Sequence, residues 1–272
     1  MPAFSTPTPN SCSIERSAVT FAKYPSLAGR VVLVTGGASG IGADIVRAFA
    51  ANDARVAFFD IQAETGRALA EDLAGSAYKP LFIDCDLVDI EAMQAAIAKV
   101  HGALGPIAVL VNNAGNDQRH GVADLTPAQW DLSQNINVRP QFFAAQAVHP
   151  QMKALGHGSI INFSSIAWRF GADQMVAYSS AKAAITGLTY ALARAFGSDN
   201  IRVNAVEPGA VMTERQRQLW YPSEASVEAV VQRQMIKRVL LGEEIARTVL
   251  FLAADDSRMI TKQSITVDAG LR

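Results

Sequence analysis

RVVLVTGGASGIG, residues 30–42, is a β-branched apolar run that breaks into a glycine cluster and then into a helix-like periodicity reaching about residue 51. A short apolar run without polar alternation reads as a strand buried on both faces. The glycines mark a tight strand-to-helix turn. The same alternation continues outward from this junction. Strands are expected at 55–60 (RVAFFD), 80–84, 107–112 (IAVLVN), 159–164 (SIINFS), 201–206 (IRVNAV) and 264–268 (SITVD). Helical patterns fall between them, at 64–74, 90–100 and 176–196 among others. Buried strands alternating with helices give a parallel sheet covered on both faces, and right-handed crossovers make it doubly wound. The expected fold is α/β: a single doubly wound domain over residues 26–272, with a seven-stranded, mostly parallel sheet.

The chain has 272 residues, half of them hydrophobic and 18% charged, which is too apolar for disorder. Twenty-four Lys and Arg against 25 Asp and Glu leave a net charge of −1. That removes any general attraction to nucleic acid or an anionic membrane. No apolar run reaches the ~18 residues of a membrane span. Cys12 lies in a polar segment and Cys85 in an apolar strand, so no disulfide framework is expected and a cytoplasmic location is favoured. Residues 1–25 have no periodic apolar face, and the first 13 are rich in Ser, Thr and Pro. They read as a flexible tail rather than a secretory signal. Four histidines (101, 120, 149 and 157) and two cysteines lack zinc-type spacing, so no metal is expected.

The glycine cluster follows the first strand, where a doubly wound sheet binds a dinucleotide. Gly36, Gly40 and Gly42 let the backbone turn and approach a pyrophosphate, while Ser39 and Ile41 open a helix whose free N–H groups favour anions. Asp60 ends the second strand, eighteen residues after Gly42, at the spacing for a carboxylate that accepts from ribose hydroxyls. Ile61 follows it, and no Lys or Arg lies in the glycine loop. A 2′-phosphate would meet a negative charge there and no cation, so NAD is preferred over NADP. Asp86, before Leu87, ends the third strand, either as an adenine contact or as a turn residue.

Tyr178 and Lys182 are four residues apart in a helical pattern, hence on one face. A nearby ammonium lowers a phenol's pKa, making Tyr178 a usable acid/base. Ser164 and Ser165 end the fifth strand. Alternation turns only one of them into the crevice at the strand ends.

These residues, with Asn112-Asn113-Ala114-Gly115 after strand four and Pro208-Gly209 with Thr213, make the chain resemble the short-chain dehydrogenase/reductases over about residues 26–272. The resemblance implies a Rossmann fold, Tyr178 as acid/base, Ser165 orienting the substrate oxygen, and Lys182 tuning Tyr178 and holding the nicotinamide ribose. It implies Asn137 as the positioner of a relay water. Asn113 would lie against the adenosine side, and Pro208, Gly209, Val211 and Thr213 against the nicotinamide, with Asp86, Leu87, Ala114, Gly115, Tyr178 and Lys182 also among the cofactor-binding residues. A homotetramer is the family's usual assembly.

For the substrate, the polar segment 116–120 (NDQRH) and Trp168, Gln174, Glu207, Trp220 and Tyr221 flank the expected hydride site. Polar groups mixed with aromatic rings suit a polyhydroxylated ligand. NNAGNDQRH at 112–120, TERQRQLWYP at 213–222 and the DAG at 268–270 resemble bacterial aldose 1-dehydrogenases, of the pentose type acting on D-xylose or L-arabinose. Related enzymes take L-fucose or L-rhamnose. By that resemblance the C1 hydroxyl of a small sugar is oxidised to a lactone. Asn116, His120, Ser165, Trp168, Gln174, Tyr178, Glu207 and Trp220 would contact the sugar, and residues 212–235 would form a lid. The competing readings are a short-chain oxidoreductase acting on a keto acid, an acyl-carrier ketone or a steroid, and a non-enzymatic NAD-sensing regulator. An apolar pocket would favour the former, and loss of the Tyr, Lys or Ser the latter.

Overall fold

The computed structural model describes residues 21–272. The expected tail and Cys12 lie mostly or wholly outside these. Its last residues are already packed: the Tyr24 amide donates to Asn52 Oδ1 at 2.9 Å, and Leu27, just beyond, is fully buried.

Seven strands form one sheet: β1 (Val31–Thr35), β2 (Arg55–Asp60), β3 (Leu81–Asp84), β4 (Val109–Asn112), β5 (Gly158–Phe163), β6 (Ile201–Pro208) and β7 (Ser264–Val267). The order is β3-β2-β1-β4-β5-β6-β7, and every neighbouring pair is parallel. The helices are α1 (Gly40–Ala50), α2 (Ala63–Asp72), α3 (Ile90–Leu104), α4 (Pro127–Asn137), α5 (Arg139–Leu155), α6 (Ala167–Phe170), α7 (Val176–Phe196), α8 (Glu214–Leu219), α9 (Glu224–Arg233) and α10 (Gly242–Ala253).

Two hydrophobic layers sandwich the sheet, because adjacent strand residues point to opposite faces. Val32, Val34, Val56, Phe58, Val109 and Val111 pack with α1, α2 and α10. Val31, Leu33, Ala57, Phe59 and Leu110 pack with α3, α5 and α7. Both faces are covered, which explains the continuous apolar strands. The order reverses between β1 and β4, so their carboxyl ends open a crevice at the topological switch point. The turn after β1 and the segment after β4 flank it.

Proline shapes a second feature. Pro140 cannot donate to the carbonyl of Ile136, so α4 and α5 break at Val138 instead of running on as one helix. Asn137 sits at that break. The region 212–235 holds α8 and α9, each started by a side-chain cap from Thr213 or Ser223.

Candidate active site

A cleft of about 1160 Å³ opens at the switch point. That exceeds the ~300–1,000 Å³ usual for one small ligand, so a dinucleotide and a substrate can share it. Gly36, Ser39, Gly40, Ile41, Gly42, Asp60, Asp86, Leu87, Asn113, Ala114, Gly115, Pro208, Gly209, Val211 and Thr213 all line it, as do Ser165, Tyr178 and Lys182.

The glycine loop is braced from β4. Asn113 Nδ2 donates to the carbonyls of Thr35 at 3.0 Å and Gly36 at 2.9 Å. A Cβ on Gly42 would stand 1.8 Å from the Gly36 oxygen, so any side chain there would displace the loop. Ser39 is the N-cap of α1, yet its side chain makes no capping hydrogen bond. The first-turn N–H groups are thus left for an anion. The Asp60 carboxylate accepts from the Ala38 amide at 3.0 Å and the Gln62 amide at 3.0 Å. Gln62 Nε2 also donates at 3.3 Å to the oxygen that takes the Gln62 amide, so it is the other oxygen, bound by Ala38, that keeps a lone pair for a hydroxyl donor. The cations lining the cleft are Arg119, Lys182, Arg215 and Arg233. None lies in the glycine loop or in residues 60–62 at the end of β2. The residues present fit a dinucleotide. Asp86 also turns the chain, accepting from the Val88 amide at 2.9 Å.

At the other end, β5 and α7 set the reacting groups. Ser164 Oγ donates to the Lys182 carbonyl at 2.7 Å, so Ser164 is spent on helix backbone. Ser165 takes the place beside Tyr178. Lys182, 2% exposed, donates from Nζ to the Phe163 carbonyl at 2.9 Å. Its ammonium lies 5.4 Å from the Tyr178 ring centroid. Burial pushes the Tyr178 phenol well above its usual pKa; the charge of Asp117 pushes the same way and the Ser165 hydroxyl bond opposes. Burial brings Lys182 down to about 7, against the pull of Asp117. In the protein alone, burial is the largest cause of both shifts.

Asn137 is fully buried and does not line the cleft. Its side chain donates to the carbonyls of Asn116 at 3.0 Å and Ser133 at 2.9 Å and accepts from the Asn116 amide at 3.0 Å. It therefore anchors the segment after β4 to the helix break. A Cβ on Gly115 would meet Asn137 Oδ1 at 2.9 Å and Lys182 Nζ at 3.1 Å; only glycine lets these two groups approach.

A family model described as enoyl-(acyl carrier protein) reductase matches residues 36–272. A short-chain dehydrogenase/reductase from Serratia marcescens superposes with a TM-score of 0.84 at 34% identity, covering 90% of this chain and 99% of that one. The chain belongs to the short-chain dehydrogenase/reductase family. Among relatives in that family, D-xylose 1-dehydrogenase of Caulobacter vibrioides is 47% identical over 249 residues, 92% of this chain and 98% of that protein. A probable galactose dehydrogenase of Rhizobium meliloti is 48% identical over 250 residues, 92% and 97% of the two chains.

Within this family fold, the residues expected at the substrate fall into two groups. Asn116, Gln174, Ser165 and Tyr178 line the cleft. His120, Trp168, Glu207 and Trp220 do not. Glu207 is fully buried. It accepts from Trp168 Nε1 at 3.2 Å, Arg169 Nε at 2.8 Å, Ser264 Oγ at 2.7 Å and Thr266 Oγ1 at 3.1 Å. That carboxylate is saturated by protein donors, and Trp168 is spent on it. The His120 amide donates to the Gln174 carbonyl at 2.8 Å, tying two loops. Trp220 turns its indole N–H onto Asp117 at 3.0 Å. Tyr221, next to it, lines the cleft instead.

Sequence reading missed a buried chain beneath the site. Thr189 Oγ1 accepts from Asn162 at 3.0 Å, Asn162 Oδ1 from Asn112 at 2.9 Å, and Asn112 also donates to the Gln141 carbonyl at 3.2 Å. Gln141 Nε2 bonds the carbonyls of Asn137 at 3.1 Å and Phe163 at 3.3 Å. Phe163 is the residue whose carbonyl holds Lys182. Polar residues inside otherwise apolar strands, Asn112 and Asn162, were the available signal, since buried amides need partners.

Proposed function

We propose that this protein is an NAD-dependent aldose 1-dehydrogenase that oxidises the C1 hydroxyl of a pentose, 6-deoxyhexose or related sugar such as D-xylose, L-arabinose or L-fucose to the lactone. The observation that carries the reading is the near end-to-end similarity, at 47–48% identity, to two proteins named as sugar dehydrogenases. The substrate end of the cleft is compatible: Asn116, Asp117, Arg119, Gln174 and Gln216 line it, and each sugar hydroxyl needs such a partner.

The roles follow from the geometry. A bound oxidised nicotinamide supplies the hydride acceptor and a positive charge. Tyr178 Oη takes the hydroxyl proton, and Ser165 holds the same oxygen by a hydrogen bond. Lys182, fixed on the Phe163 carbonyl, stands beside Tyr178 to stabilise a phenolate as it forms. Asn137 holds the carbonyl geometry through which a relay water would be positioned. The uncapped first turn of α1 would hold the pyrophosphate, Asp60 the adenosine ribose and Pro208–Thr213 the nicotinamide end. Residues 212–235 would act as the lid that excludes water.

Support for NAD over NADP is the carboxylate of Asp60 at the cleft, with no Lys or Arg in the glycine loop or directly after β2. Support for a homotetramer is the exposure of Leu132, Phe142 and Tyr190 on α4, α5 and α7. A cytoplasmic location is consistent with Cys85 being a free, buried thiol. Among the described residues, no helix is long and apolar enough to cross a membrane.

Tyr178→Phe tests the chemistry. Turnover should fall by about a hundredfold or more, while NAD binding, followed by fluorescence titration, stays near wild type. Retained turnover would remove Tyr178 from its role.

A further inference from the structure

Helix α8 is fastened in an unusual way. It has no buried residue, so apolar packing contributes little to holding it down. Its polar contacts converge instead. Asp117 Oδ2 accepts from Gln216 Nε2 at 2.7 Å and from Trp220 Nε1 at 3.0 Å. Asp117 Oδ1 accepts from Arg215 Nη2 at 3.2 Å, and the same nitrogen reaches Asn116 Oδ1 at 3.1 Å. Among the described residues, every side-chain hydrogen bond that leaves the 213–224 stretch from α8 or Trp220 ends on Asn116 or Asp117. Arg119 closes the cluster, its guanidinium carbon 4.0 Å from the Trp220 ring centroid. The Asp117 side chain is only 14% exposed, so these bonds form where water competes weakly.

The same carboxylate lines the cleft together with Tyr178 and Lys182. Its charge is felt by both Tyr178 and Lys182. The charged or titratable groups around it are Arg215 from α8, Arg119 from its own loop across the Trp220 ring, and Tyr178 and Lys182 from α7.

We propose that Asp117 is a positioning residue: its carboxylate latches α8 onto the 116–120 loop over the cleft and presents a fixed negative charge to the Tyr178–Lys182 pair. The inference deepens the dehydrogenase reading and rests on it for the second half. One acid then joins lid seating to the proton transfer. With α8 seated, Arg215 partly neutralises Asp117. With α8 lifted, the full charge remains opposite Tyr178 and holds its proton on, so the pair is readied for oxidation only under a closed lid.

Two variants separate latch from charge. Asp117→Asn removes the charge and turns an amide N–H toward the α8 donors. Trp220→Phe removes one donor and keeps the charge and the ring under Arg119. Hydrogen exchange followed by mass spectrometry on the full chain should find protection of 214–220 lost about tenfold or more in Asp117→Asn, less in Trp220→Phe, with the sheet unchanged in both. Wild-type protection in Asp117→Asn would overturn the latch. This arm needs no substrate, so it stands apart from the aldose reading. For the charge, the limb of the aldose oxidation rate that rises with pH should move to lower pH in Asp117→Asn and stay put in Trp220→Phe. A limb that does not move in Asp117→Asn, or moves equally in both, would overturn the charge role. Silence on every aldose would sink the substrate reading and leave the exchange result to decide the latch.

Discussion

Asp60 is held by two backbone amides, so its carboxylate is aimed rather than free to swing. A fixed acid at a ribose favours hydroxyls and repels a 2′-phosphate. Asp60→Ala should shift the NADP-to-NAD ratio of kcat/KM upward by about tenfold, the size of one charge-assisted hydrogen bond lost. Steady-state rates with both cofactors check this, and an unchanged ratio would mean that Asp60 does not face the ribose. The place of this residue at the cleft was legible because it follows from local order: strand end and spacing from the glycines. Ser165 over Ser164 needed the structure, since alternation alone leaves the phase of the strand open. Trp168 and Glu207 misled for a further reason. They are 39 apart in sequence and satisfy each other, and long-range pairing leaves no periodic mark. Composition near the strand ends drew attention to both, but their polarity serves the protein.

At the scale of elements, Glu207 on β6 ties together the segment with α6 and the edge strand β7 through its donors. Burial alone would raise its pKa, but hydrogen bonds from Arg169 and Ser264 hold it below the usual carboxylate value. Glu207→Gln should therefore cost about 2–3 kcal/mol, a fall of about 5–10 °C in Tm. A folded-state pKa held below the unfolded one gives stability that is present above the unfolded value and lost as pH falls through the folded one. The Tm gap between variant and wild type should thus be full at neutral pH and narrow in acid. A gap independent of pH would contradict the ionised hub. Element boundaries follow similar local causes. α3 runs past the expected residue 100 to Leu104 because its stop is Gly105, at φ 96°. β4 starts at Val109, not 107, because the Ile107 amide is taken by the Gln151 side chain at 3.0 Å. The break at Val138 had its signal in Pro140, though the apolar pattern runs through it.

The molecule as a whole repeats one idea: a sheet whose strand order reverses once, with the candidate site gathered at that reversal. β1 and β2 bring the glycines and Asp60, β4 brings Asn113 and Asp117, β5 and α7 bring Ser165, Tyr178 and Lys182. The sheet was readable because both its faces are buried, which makes each strand a continuous apolar run. Assembly was less so, because an apolar helix face looks the same whether its own subunit or another covers it. Leu132, Phe142 and Tyr190 are exposed here, and light scattering after size-exclusion chromatography should give four times the 29.0 kDa chain mass. A monomer would leave those faces unexplained. The most direct test of the account is the initial rate of NAD and NADP reduction over D-xylose, L-arabinose, D-galactose, L-fucose, L-rhamnose and D-glucose, with aliphatic and steroid alcohols alongside. Strong turnover of one or two aldoses with NAD is the predicted result. Turnover of an apolar alcohol with no sugar active would contradict the aldose reading while leaving the fold and the Tyr178 site intact.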